Sequence, residues 1–426
     1  MDNLFVGQVI GAGLVLCSLL WLVVARVRIP EGAPPGSFGW PLLGETLDYL
    51  SWRCKGGSAA FFNDRRKRYG VDVFRTHILF SPTVVILGAD AHKLLQNDGY
   101  KSLTFGHSQT LQDLFGEKSL ILTEADQHKR IRKAIMGPMN WKSLKSQIPT
   151  LKELSIETLK TWEGKEVSAM KELAKFTFYS ILGLLLSLKP SPYTETLRQN
   201  FDILAKDGTN SLQLKIPGTK YSRALQARKR LVDGIKLVLD DRRKNGKPSE
   251  DFLDHLMQPR EAEQKGVLQE LGDEGCLTWE KLKGMHYTSM VINEALRLSH
   301  LGTDVFLRTS KQDIVFHGYT IPKGWNIMID KATTDINPEI FKEPMKFKPA
   351  RFQKKLPPYV FMPFGGGTRI CAGMEFANLE MLVFIHTLIN NYSWRLIQKN
   401  NDKVDFTGVI QKPKNGIPIF VQRISE

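Results

Sequence analysis

The chain has 426 residues, 59 Lys plus Arg against 44 Asp plus Glu, and a net charge of +15. A hydrophobic share of 42% with 24% charged residues excludes a disordered or collagen-like chain. The four cysteines, Cys17, Cys54, Cys276 and Cys371, are too few and too scattered for a disulfide scaffold or a zinc ribbon. The basic balance favours an acidic partner or an anionic membrane surface. With no arginine-rich stripe, zinc-finger spacing or RNP motif in the sequence, it does not indicate nucleic acid.

The chain opens with an apolar run from Leu4 to Ala25, 22 residues interrupted only by Gln8 and Ser18. A helix needs about 20 such residues to cross a bilayer. No basic residue precedes the run, whereas Arg26 and Arg28 follow it, so the positive-inside bias keeps the rest of the chain cytosolic. A cleaved signal peptide would have a basic start and a shorter apolar core. Residues 1–28 are therefore expected to be an uncleaved membrane anchor. Residues 29–45 are rich in Pro and Gly and read as a stiff hinge, with Phe38 and Trp40 seeking something to pack on.

Residues 46–426 are expected to form the body. A β region is predicted from Val73 to Gly88, with Ser81–Pro82 as its turn. Helical periodicity then dominates, with helices expected at 126–136, 141–161, 170–188, 224–244 and 279–298. A second β patch is expected at 314–330 around the Pro322-Lys323-Gly324 turn. A large helical body with small sheets is a mainly α, α+β architecture.

The stretch PFGGGTRICAG carries the chemistry. Three glycines let the backbone approach a flat ligand, and Arg369 stands two residues before Cys371. Cys371 precedes an apolar-periodic helix, whose unpaired N–H groups and dipole favour a negatively charged sulfur. Elsewhere, Glu294 and Arg297 stand at i and i+3 on one helix face, and His128 and Arg132 at i and i+4 on a basic helix.

These residues resemble the haem-binding signature F-x-x-G-x-R-x-C-x-G of the cytochrome P-450 superfamily, every fixed position of which is present: Phe364, Gly367, Arg369, Cys371 and Gly373. The resemblance implies a cytochrome P-450 fold, haem b as cofactor, and Cys371 as the thiolate ligand of its iron. It also implies that Phe364 shields the sulfur and that Arg369 pairs with a haem propionate. His128 and Arg132 match the family's W/H-x-x-x-R positions, and Arg308 is a further propionate candidate. Glu294 and Arg297 match E-x-x-R, which the family joins to Arg351 in a buried network. Stretches such as PPGSFGWPLLGET and GYTIPKGW extend the resemblance to the plant branch that oxidises steroids, triterpenoids and diterpenoids. That branch implies an endoplasmic reticulum membrane location, an NADPH-dependent flavoprotein reductase, an apolar isoprenoid substrate and membrane lipid as partners.

One family element is missing. The long central helix with its A/G-G-x-D/E-T-T motif, which supplies protons during oxygen activation, belongs between Met257 and Val267. Only nine residues, Gln258 to Gly266, stand there, against about 30 needed for a helix crossing a ~45 Å body. No catalytic acid–threonine pair is identified; Thr333-Thr334-Asp335 lies where the family has a loop. Two function classes follow: a monooxygenase, or a catalytically impaired, membrane-anchored haem-binding remnant.

Overall fold

Val73–Ile78 and Ser81–Leu87 are rich in β-branched residues and pair antiparallel. The computed structural model describes residues 29–40, 43–106, 109–209, 213, 215–245, 251–253, 277–299, 307–397, 404–405 and 411–424. The turn of this hairpin is Leu79–Phe80 rather than Ser81–Pro82, because Ile78 pairs with Ser81 and Pro82 stands opposite His77. The Ser-Pro signal fails here because proline is accepted near the start of a strand. Ser81–Leu87 runs parallel to Asn326–Asp330, which is antiparallel to Arg308–Ser310, which in turn pairs with Leu103–Phe105. This five-stranded sheet belongs to a compact unit of residues 1–106, 300–345 and 356–368.

The sequence periodicity did not reveal the unit's helices Thr46–Gly56 and Ser58–Tyr69. They form because Tyr49, Phe61 and Phe62 pack with Phe74 and Val85 of the sheet, and Gly57 at φ 78° breaks one helix from the next. The hinge stretch lies on the sheet as an ordered strap. Arg75 donates its amide N–H to Pro35 O at 2.8 Å, and Phe38 meets Trp325 edge-on at 5.6 Å.

The second unit comprises residues 107–299, 346–355 and 369–426 and is mostly helical. Helix Met374–Asn391 is its axis: Phe376, Leu379 and Val383 pack with Leu144, Ile148 and Leu151, while Phe384 packs with Trp162 and Phe176. The helix expected at 141–161 is two, Trp141–Lys145 and Ile148–Trp162, since Asn140 caps the first and Pro149 opens the second. That expected at 279–298 divides at Gly284 into Trp279–Lys283 and His286–Ser299. The other expected helices are Ala125–Met136, Ala169–Leu186 and Lys220–Asn245, and an unexpected one, Pro192–Thr209, packs on the last of these. A three-stranded sheet of Lys165–Ser168, Pro418–Arg423 and Tyr392–Leu396 closes one edge.

The mainly helical architecture with small sheets is as the sequence predicts. Among the described residues no helix is long and apolar enough to cross a membrane. The expected anchor at 4–25 and the short stretch 258–266 lie outside the described residues. Thr333 and Thr334, expected in a loop, instead sit buried in a short helix Lys331–Asp335 capped by Asp330.

Candidate functional site

Cys371 is exposed in the turn between the 3-10 segment Gly367–Arg369 and helix Met374–Asn391. Gly373, at the N-cap of that helix, would carry a Cβ 4.0 Å from the Cys371 sulfur, an ordinary van der Waals contact. The loop is held by two arginines. Arg369 donates to the carbonyls of Leu120 at 3.1 Å, Ile121 at 3.2 Å and Thr123 at 2.6 Å. Arg132, from helix Ala125–Met136, donates to Ile370 O, next to the cysteine, at 2.6 Å.

His128 lies one turn before Arg132 and is almost fully buried, with 1% of its surface exposed. Burial, then the positive charges of Arg369 and Arg132, push its pKa down to about 4. The imidazole is therefore neutral at pH 7, and Cys371, Arg369, Arg132 and His128 form one cluster in this unit.

Glu294 and Arg297 are both wholly buried on helix His286–Ser299. Arg297 grips Glu294 with two bonds, Nε to Oε2 and Nη2 to Oε1, each 2.8 Å. The Lys348 amide donates to Glu294 Oε1 at 2.8 Å and Arg351 Nε does so at 3.2 Å. Burial pushes the Glu294 pKa up, but the bonds from Arg297, Lys348 and Arg351 outweigh it and hold the carboxyl below its ordinary range. The structure thus brings Glu294, Arg297 and Arg351 together.

Phe364, Gly367 and Arg308 belong to the sheet-bearing unit. Gly367 has φ 66°, and a Cβ on it would fall 2.4 Å from Leu95 O, so no other residue fits. Its N–H donates to Gln96 Oε1 at 2.6 Å. Phe364 is half-buried in the turn ahead of it. Arg308 opens a sheet strand and lies over the Phe105 ring at 4.9 Å.

Sequence reasoning did not find the carbonyl partners of Arg369, nor Gln96, because neither carries a motif. It also passed over Glu380, a carboxyl 7% exposed on the apolar face of helix Met374–Asn391. That position, between Leu379 and Val383 on a core face, was a readable signal. Ser180 Oγ lies 2.8 Å from both Phe176 O and Glu380 Oε1. A hydroxyl has one proton, so the two contacts share it unless the carboxyl carries a proton of its own. Burial does push the Glu380 pKa up.

The donor set suits a haem: one exposed sulfur before a helix, the guanidinium groups of Arg369 beside it and Arg132 on helix Ala125–Met136, and an imidazole that adds no further charge. A model of the family described as Cytochrome P450 matches residues 34–275 and 261–420. The two segments overlap over residues 261–275. Abscisic acid 8'-hydroxylase 1 of Arabidopsis thaliana is 31% identical, over 92% of this chain and 92% of its own. Their alignment extends over 439 residues, more than the 426 of the whole chain, so it opens gaps in this one. Abscisic acid 8'-hydroxylase CYP707A1 of Solanum lycopersicum is also 31% identical, covering 85% of this chain and 86% of its own. Among solved structures, retinoic acid bound cyanobacterial CYP120A1 superposes with a TM-score of 0.80 at 25% identity, covering 93% of this chain and 100% of its own.

Proposed function

Starting from the fact that this chain belongs to the cytochrome P450 family and is a haem-thiolate monooxygenase, we propose that it hydroxylates an apolar, isoprenoid-derived small molecule. Electrons come from an NADPH-dependent flavoprotein reductase, whose acidic face suits the +15 charge. The observation that carries this reading is Cys371, exposed before its helix in a loop tied down by Arg369 and Arg132. Bound through a cysteine thiolate, haem supplies oxygen-activating chemistry. Cys371 would be the ligand; by the family match Phe364 would shield its sulfur, and Gly367 and Gly373 would let the backbone approach the ring. Arg369, Arg132 and, by the same match, Arg308 would pair with propionates, and neutral His128 would contribute an N–H. Glu294, Arg297 and Arg351 brace the loop from behind.

Several relatives are named abscisic acid 8'-hydroxylases, which supports adding an isoprenoid-derived acid to steroids, triterpenoids and diterpenoids as substrates to test. The body is cytosolic, on an endoplasmic reticulum membrane crossed by residues 4–25. The full chain, purified with a reductase, is assayed against that panel after its reduced, CO-bound spectrum is recorded. A thiolate-type Soret band with NADPH-dependent hydroxylation of one of these compounds supports the reading. A haem-loaded protein that oxidises none of them overturns the substrate class.

A second reading, the impaired remnant, is favoured by one feature: nine mostly polar residues, 258–266, in place of the acid–threonine helix. Positioned proton transfer contributes roughly 10²–10⁴-fold. Product formed per NADPH consumed is therefore expected to be low, and to rise when a family-type central helix is inserted between Met257 and Val267. Tight coupling in the natural chain would show that another segment supplies the protons.

A further inference from the structure

The chain approaches Cys371 through residues 356–368, a stretch with little of its own to fix its path. It carries three consecutive glycines, 365–367. Tyr359, Gly365 and Gly367 have positive φ, 66°, 75° and 66°. Glycine gives up the most conformational freedom on folding, so such a stretch needs ties from outside it.

Two of those ties come from one face of one helix. In helix Ala89–Asp98, His92 and Gln96 stand four positions apart, with Cβ atoms about 5–6 Å from each other. The His92 ring is 3% exposed, and its Nδ1 lies 2.6 Å from Tyr359 O. A carbonyl only accepts, so Nδ1 carries the hydrogen and donates it. Burial pushes the ring's pKa down, outweighing the bond to Tyr359 and the charge of Asp335, so the ring is neutral at pH 7. One turn on, Gln96 Oε1 accepts the Gly367 N–H at 2.6 Å. Extended, the chain from Tyr359 to Gly367 could span about 27 Å, yet both ends are tied to neighbouring positions on one helix turn. The stretch is therefore a loop pinned at its neck. Gly366 is buried, and a Cβ on it would fall 2.8 Å from Gln96 Oε1, so the loop lies against the pinning side chain itself.

Arg369 and Arg132 tie the chain at residues 369 and 370, after the glycines. The approach to them is left to the helix. We propose that His92 and Gln96 are positioning residues, a two-point clip that sets the path of the glycine-rich approach and so keeps the Cys371 sulfur in the geometry of a haem ligand. The proposal rests on the reading of Cys371 as that ligand, and the test separates the two.

The full chain is prepared haem-loaded and haem-free, in its natural form and as Gln96→Leu, His92→Leu, Gln96→Glu and His92→Asn. Hydrogen exchange at the Gly367 amide, resolved by fragmentation in the mass spectrometer, reports the clip with or without haem. Conversion of the thiolate-type Soret band of the reduced, CO-bound protein to the thiol-type band, timed well below Tm, reports the sulfur. Gln96→Leu is expected to speed both about 3–10-fold, the loss of one hydrogen bond, with Tm held within about 2 °C. His92→Leu leaves a carbonyl without its buried donor and is expected to speed both about 10–100-fold. Gln96→Glu returns an acceptor and His92→Asn a donor, and each is expected to restore the natural rates. Losing either pin frees the same neck, so the double Leu variant is expected to fall well short of the product of the two single effects. Unchanged exchange at Gly367 in Gln96→Leu overturns the clip, and so do fully multiplicative effects in the double variant. Band conversion that only follows a parallel fall in Tm and loss of haem assigns the two side chains a general structural role and also overturns it. A natural chain without a thiolate-type band, whose Gly367 amide still depends on Gln96, overturns the ligand role of Cys371 and leaves the pinned loop standing.

Discussion

Two groups of arginines in the helical unit are built differently. Arg297 and Arg351 converge on Glu294, so that two guanidinium groups and a backbone N–H close around one buried carboxylate. Arg132 and Arg369 donate to main-chain carbonyls, which are neutral. Their positive field spreads into the surroundings, where it helps hold His128 near pKa 4. The first group is a closed ionic network, which stabilises the fold only while all its members are present. The second is open, a positive region beside Cys371 suited to an anionic ligand. The same side chain thus serves architecture in one place and recognition in the other, and the partner's charge decides which.

The sharpest way to break this contrast starts at the sulfur beside the open group. Cys371→Ala is expected to abolish the thiolate-type Soret band of the reduced, CO-bound protein and all monooxygenase turnover. A retained band would assign ligation to another residue. Next in size is Glu294→Ala, which takes the carboxylate away from the wholly buried Arg297 and is expected to cost about 3–5 kcal/mol. That is a large part of a domain's stability, so haem content should collapse with Tm. Arg369→Ala loses bonds to neutral carbonyls and a cation for the propionates. Its expected signature is the reverse: a smaller drop in Tm but haem affinity lower by about 10–100-fold. Equal losses of Tm in the two variants, measured by calorimetry with and without haem, would erase the distinction between closed and open groups.

The open group also has a pH signature. His128 titrates at about 4 in the folded chain and at about 6.5 when unfolded. Above pH 6.5 both states are neutral and nothing is lost. As pH falls below it, the unfolded chain takes up a proton that the folded chain refuses, so stability declines until about pH 4, by at most about 3 kcal/mol. His128→Asn is expected to flatten this part of the stability profile in urea denaturation. An unchanged slope would mean that neither burial nor the two arginine charges hold the imidazole's pKa down.

These features were unequally legible in the sequence. The residues of the closed group show because Glu294 and Arg297 share a helix turn and the cysteine signature is a continuous decapeptide from Phe364 to Gly373. Short-range geometry is written locally, so spacing reveals it. The partners of Arg369 are carbonyls more than 240 positions away, and every residue type has a carbonyl, so no pattern marks them. The hairpin turn was misplaced because Leu-Phe is among the least turn-like pairs and the following Ser-Pro among the most. Tertiary packing also created helix Thr46–Gly56 from a segment with weak apolar periodicity.

The smallest expected effect concerns Glu380, a third kind of charged side chain, buried with no cation as its partner in the hydrogen bonds that hold it. Ser180 Oγ stands 2.8 Å from both the Phe176 carbonyl and Glu380 Oε1, so a protonated carboxyl can return a hydrogen bond to it. Burial raises the pKa, so the sign is opposite to that of His128. Below the ordinary carboxylate range, folded and unfolded chains are both protonated. As pH rises, the unfolded chain ionises first while the folded chain keeps its proton, and stability falls until pH passes the raised value. Glu380→Gln keeps a donor toward Ser180 and cannot ionise. Its advantage over the natural chain is therefore expected to be absent at acid pH and to grow toward neutrality. If the glutamine variant is instead less stable by the same amount at every pH, the carboxylate is ionised in the fold and draws the Ser180 hydrogen toward itself.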